Sequence, residues 1–92
     1  MNKTKTSRGF GLIEFDDRNG HHCSLQKSSI ATEDCIWLGI EDANPQALVQ
    51  NKGWCPVPFP EDTLFTTRMH LNREQVKKLL PHLQKFVKTG EF

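Results

Sequence analysis

The chain lacks any run approaching the ~18 consecutive apolar residues that a membrane-spanning helix requires, and its opening MNKTKTS is too polar for a secretory leader. No membrane is therefore expected among its partners. It also lacks a Cys-x-x-Cys pair. Cys23, Cys35 and Cys55 are odd in number and separated by 12 and 20 residues, which fits neither a disulfide framework nor a structural zinc site. They read as free thiols of a reducing cytoplasm. No glycine-rich loop leads into a helix, so the usual phosphate cradle is missing, and no internal repeat or low-complexity tract appears. A length of 92 residues allows one domain, residues 1–92, with a modest core and no deep enclosed active site.

Catalytic constellations are equally scarce. A cysteine nucleophile needs a base within ~3 Å, and Cys23 beside His22 on a strand points to the opposite face. The acid pairs Asp16-Asp17, Glu33-Asp34, Glu41-Asp42 and Glu61-Asp62 lie at turns and element ends, where capping and solvation explain them. His21, Cys23 and His70 would meet at a metal only through a coincidence of strand register. Neither an enzyme nor a metal or other cofactor is expected.

What is present is segregated charge and clear periodicity. Residues 1–27 carry a net +2, residues 28–62 carry −5 and residues 63–92 carry +4, giving +1 for the whole chain. GFGLIEF reads as a strand, Asp17-Arg18-Asn19-Gly20 as a turn and HHCSLQK as the returning strand of a hairpin. A third strand, Cys35 to Ile40, places Ile36, Leu38 and Ile40 on one side and Trp37 opposite, where Trp37 is expected in the core. Residues 41–62 hold Pro45, Pro56, Pro58 and Pro60 and no sustained period, so they are expected to form a long irregular segment. LFTTRMHL alternates as a half-buried fourth strand. Residues 1–7 are expected to be a flexible basic arm.

The last element is the strongest. Asn72 and Gln75 have the spacing of a capping box, and Gly90 stands where a left-handed cap belongs. Between them Val76, Leu79, Leu80, Leu83, Phe86 and Val87 form one apolar stripe. Burying that stripe would contribute on the order of 9–18 kcal/mol at most, against about 3 kcal/mol for Pro81 inside the helix. A kinked helix, or two short ones sharing a face, is the expectation. The fold class is therefore α+β: a small antiparallel sheet of about four strands packed by one C-terminal amphipathic helix.

RGFGLIEF approaches the first ribonucleoprotein motif, and residues 8–30 resemble the early strands of cold-shock domains. That likeness implies single-stranded nucleic acid as a partner, held by Arg8, Phe10, Phe15 and His22 through stacking and charge. A different likeness covers most of residues 8–92. CSLQKSSIATEDCIWLGIED, GWCPVPFP and TTRMHLNREQVKKLLPHLQKFVKTGEF resemble a group of small proteins encoded by bacteriophages and prophages. The group has no established biochemical activity; the resemblance implies a phage origin and a host cytoplasm.

The leading expectation is a non-enzymatic interaction protein that binds, and inhibits, a host or host-defence protein. Its contact residues are expected to be Trp54 and Phe59 on the Pro-rich segment and Arg73, Lys77, Lys78, Lys85 and Lys88 on the helix. Two alternatives stay open: the nucleic-acid module above, and a small-ligand sponge formed where copies of the chain meet in a homo-oligomer.

Overall fold

The computed structural model describes residues 1–92. It is an α+β fold with a five-stranded antiparallel sheet, a separate two-stranded hairpin and one C-terminal helix. The strands are β1 (Asn2–Lys5), β2 (Gly11–Asp16), β3 (His22–Lys27), β4 (Cys35–Ile40), β5 (Gln46–Val49), β6 (Gly53–Pro56) and β7 (Arg68–Asn72), followed by α1 (Arg73–Thr89). The large sheet has the order β1-β2-β3-β4-β7, and β5 pairs with β6 alone.

The central hairpin forms as its turn residues dictate. Asp17 Oδ1 accepts from the N–H groups of Asn19 and His21, both at 2.9 Å, and Gly20 takes a φ of 85°. The N-terminal residues are not a flexible arm. The chain reverses at residues 6–9, where the Phe10 N–H donates to Thr6 Oγ1 at 3.1 Å, and β1 returns along β2 as an edge strand. Lys3 and Lys5 suit that position, because charged side chains blunt an exposed sheet edge.

The segment 41–62 is likewise not irregular throughout. Its prolines sit where the β5–β6 ladder needs no donor: Pro45 precedes β5 and Pro56 ends β6. Asn51 and Gly53 take positive φ at the hairpin's turn. Two short strands thus hide among residues that suppress any visible period.

Strand alternation and register divide the large sheet into two faces. On one, apolar side chains run in rows across the strands: Phe15–Cys23–Ile40, Ile13–Leu25–Leu38–Met69, and Ile36–Leu71. The other face carries Ser24, Gln26, Trp37, Gly39, Arg68 and His70. Trp37 is only half-buried there, which corrects its assignment to a closed core.

The helix departs furthest from expectation. It runs unbroken from Arg73 to Thr89 through Pro81, so it is not two short helices. Its caps are those expected. Asn72 Oδ1 accepts from the Gln75 N–H at 2.9 Å, Gln75 Oε1 accepts from the Asn72 N–H at 2.9 Å, and Gly90 is left-handed. Yet α1 meets the sheet only along its edge strand β7 and does not lie across the other strands. None of its residues is buried, and its substantial contacts are with β7 alone. The cause is the junction, because Asn72 is both the last residue of β7 and the N-cap of α1. With no connecting residue, the helix cannot turn back across the strands, where strand-to-helix links usually use about 2–6 residues.

Candidate functional site

Trp54 lies on β6 directly across from Leu48 on β5, and each is 68% exposed. Cross-strand partners stand about 5 Å apart, so the two form one apolar knob on a hairpin that has no substantial contact with the large sheet. Phe59 follows, exposed and set edge-on to Phe65 with ring centroids 4.8 Å apart. Two of the expected contact residues therefore belong to an exposed apolar region.

The basic residues occupy one flank of α1, as their spacing requires. Arg73 lies 3.8 Å from the Asp34 carboxylate and Lys78 lies 3.9 Å from Glu74, while Lys85 Nζ donates to the Phe92 carbonyl at 2.8 Å. Lys77 is exposed, and Lys88 sits in the last turn, where a cation complements the helix dipole. The hairpin and α1 have no substantial contact. The contact surface expected from sequence is thus two separate surfaces, a hairpin knob and a basic helix flank.

The nucleic-acid residues do not converge. The Arg8 guanidinium sits 5.7 Å from the Phe10 ring centroid, at the turn before β2. Phe15 faces the apolar side beside Cys23. His22 projects from the other face, its ring nitrogens 3.6 Å from Asp16 and 4.0 Å from Glu14. A phosphate approaching His22 would meet two carboxylates.

Sequence reasoning missed one cluster, on the polar face of the large sheet. Trp37 and His70 are stacked with centroids 3.8 Å apart, and the Arg68 guanidinium lies 5.6 Å from the Trp37 ring. Arg68 donates to Gln26 Oε1 at 3.1 Å and pairs with Glu41 at 3.6 Å. Ser24 Oγ donates to the same Glu41 carboxylate, and His70 Nε2 lies 3.0 Å from Ser28 Oγ. Ser24 and Ser28 are buried, and no buried side-chain polar atom lacks a partner. The signal was available as two-residue spacing in CSLQKSS (Ser24, Gln26, Ser28), IWLG (Trp37, Gly39) and RMH (Arg68, His70). This network ties β3, β4 and β7 together and has satisfied its own hydrogen bonds.

Burial raises the thiol pKa of Cys23 and Cys35 above the ordinary value, so both are neutral at pH 7. Cys23 Sγ donates to the His21 carbonyl at 3.4 Å, an orientation that offers it no base. No three His, Cys, Asp or Glu side chains gather as a metal cage requires, and no helix is long and apolar enough to cross a membrane. No family model matches the chain, and no curated protein and no solved structure matches it significantly.

Proposed function

We propose that the chain is a non-catalytic interaction protein of phage origin that acts in the host cytoplasm by binding, and so blocking, a host or host-defence protein. The Leu48–Trp54 knob carries this reading. Tryptophan is enriched among residues that dominate protein interfaces, and a paired Trp and Leu held in water by a two-stranded hairpin cost free energy unless a partner covers them. The β5–β6 register sets the two residues side by side before binding, which lowers the entropy lost on association. The basic flank of α1, with Arg73, Lys77, Lys78, Lys85 and Lys88, supplies charge that steers an acidic partner towards the complex. The sequence likeness to small phage and prophage proteins supports the origin and the compartment.

The test is capture of a stoichiometric partner from the bacterial host, followed by an affinity measurement on the purified pair. Leu48→Ala with Trp54→Ala should weaken the complex at least ~30-fold, since one central anchor typically carries about 2 kcal/mol or more. Arg73→Ala with Lys77→Ala should mainly slow association and reduce its salt dependence. Unchanged affinity in the Leu48/Trp54 variant, with its circular dichroism intact, would sink the reading.

A further inference from the structure

We propose that the chain assembles as a symmetric homodimer in which α1 of each copy lies on the apolar sheet face of the other. The proposal goes beyond the partner reading above and uses a different surface.

Surface area gives the first argument. The single chain exposes 7904 Å². A folded monomer of 10.6 kDa exposes about 5,500 Å², so the excess is roughly 2,400 Å² per chain. Two chains burying that excess would remove about 4,800 Å², within the ~2,000–5,000 Å² typical of obligate homodimers and well above a transient contact. The dimensions agree. The radius of gyration is 16.3 Å, against about 12 Å for a compact chain of this length.

Complementarity gives the second. The chain carries both halves of a core and keeps them apart. No helix or strand packs over the rows of Ile13, Leu25, Leu38 and Met69, of which Met69 is 55% exposed and the others half-buried, and no residue of the stripe on α1 is buried. Between the two opens a groove of about 500 Å³, with Ile36 and Leu71 on the sheet side and Val76 and Leu80 on the helix side. A helix of 17 residues is about 25 Å long, enough to cross the apolar strands β2, β3, β4 and β7, which span roughly 15 Å between the outer two.

Connectivity gives the third, and it selects the occupant. The direct junction at Asn72 prevents α1 from crossing its own sheet. Exposure along the stripe shows the divergence, rising from 39% at Leu79 to 52% at Phe86 and 85% at Val87. A second copy's helix is under no such restraint. A foreign partner would have to bring a helix for the sheet and a sheet for the helix. A second copy brings both in matching number, and a two-fold axis makes the two contacts identical.

The test is mass in solution. At micromolar concentration, sedimentation or light scattering should give twice 10.6 kDa, with a thermal midpoint that rises with protein concentration. Leu80→Asp with Leu83→Asp on the helix, and separately Met69→Asp on the sheet face, should each reduce the mass to a single chain or abolish folding. All three positions are exposed in the single chain, so a monomer would tolerate them. Leu48→Ala with Trp54→Ala should leave the dimer intact, so partner capture and dimerisation fail independently. A wild-type mass of one chain overturns the proposal. So does a dimer that survives Met69→Asp, which would show that the helices pair only with each other.

Discussion

Strands β2, β3, β4 and β7 hold one another through long ladders, stacked side chains and a polar network that reaches Glu41, whereas α1 has a capping box, a left-handed C-cap and an apolar stripe yet buries none of its residues. The sheet gains its order from neighbours distant in sequence. Arg68 and His70 reach Gln26 and Ser28 across 42 positions. The helix gains its order from within four residues: a capping box, a left-handed glycine and one periodic stripe. The difference teaches that where an element begins and ends, and where it buries its apolar side, are separate questions. Propensity and caps answer the first. The length of the connecting segment answers the second, and at Asn72 that length is zero.

The comparison breaks most severely at Gly39. A β-carbon there would stand 2.6 Å from the Thr67 carbonyl oxygen and 2.8 Å from the Arg68 Cα, both main-chain atoms that cannot rotate aside. Gly39→Ala therefore forces β7 away from β4, and α1 hangs from β7. The expected loss is about 1–3 kcal/mol, the usual cost of overpacking, and more if the β4–β7 register slips. Urea unfolding followed by circular dichroism reads it directly. A midpoint equal to wild type would mean that residues 67 and 68 yield easily, and that the sheet is no better braced than the helix.

Much of this fold was legible for the same reason that the helix is locally encoded. The Asp17–Gly20 turn, the strand from Cys35 to Ile40, the Asn72–Gln75 box and the Gly90 cap each depend on residues a few positions apart. What was illegible depends on distance or on disguise. Residues 2–5 have the composition of a solvated arm, and only their pairing with β2 makes them a strand. Pro45 and Pro56 conceal the β5–β6 hairpin because proline usually denies a ladder, although at strand ends it denies nothing. The stripe on α1 was rightly read as apolar, but it meets its own sheet only at β7 and none of it is buried, since periodicity reports which side wants burial and not what covers it. At the candidate site, Trp54 and Phe59 could be picked out as aromatics among prolines, but the Leu48 partner needed the register. The Trp37–His70–Arg68 network needed three strands brought together.

A smaller effect sharpens the contrast at the junction itself. Asn72 belongs to both regions: it pairs with Cys35 across the sheet, and its side chain caps the helix. Asn72→Ala removes the cap and leaves the backbone ladder, so the expected cost is about 1 kcal/mol, within the range for lost N-caps. Amide exchange should quicken in the first turn of α1, where Gln75 loses its acceptor, and change little in β4. Equal acceleration in both places would show that helix and sheet unfold as one unit and that the local account of the helix is incomplete.

The smallest expected effect is electrostatic and lies on the same boundary. Lys27 Nζ, on β3, donates to Asp34 at 2.9 Å, and this hydrogen bond, with the nearby Arg73 charge, holds the Asp34 carboxyl below the ordinary range. Asp17 is also lowered, first by the His21 N–H and then by the Asn19 N–H, but it serves a turn within the sheet alone. In the unfolded chain both titrate near the ordinary value of about 3.9. On acidification the unfolded state takes up its protons first. The stabilisation is therefore complete above about pH 4 and is lost as pH falls through the lower folded values. Both carboxylates face water, so solvent screening keeps the effect modest. Asp34→Asn and Asp17→Asn should each flatten the fall in thermal midpoint below about pH 4, and only Asp34→Asn should also loosen the first turn of α1 in amide exchange. If Asp17→Asn loosens that turn equally, Asp34 is not the link between β3 and the helix, and the two regions communicate through the β7 ladder alone.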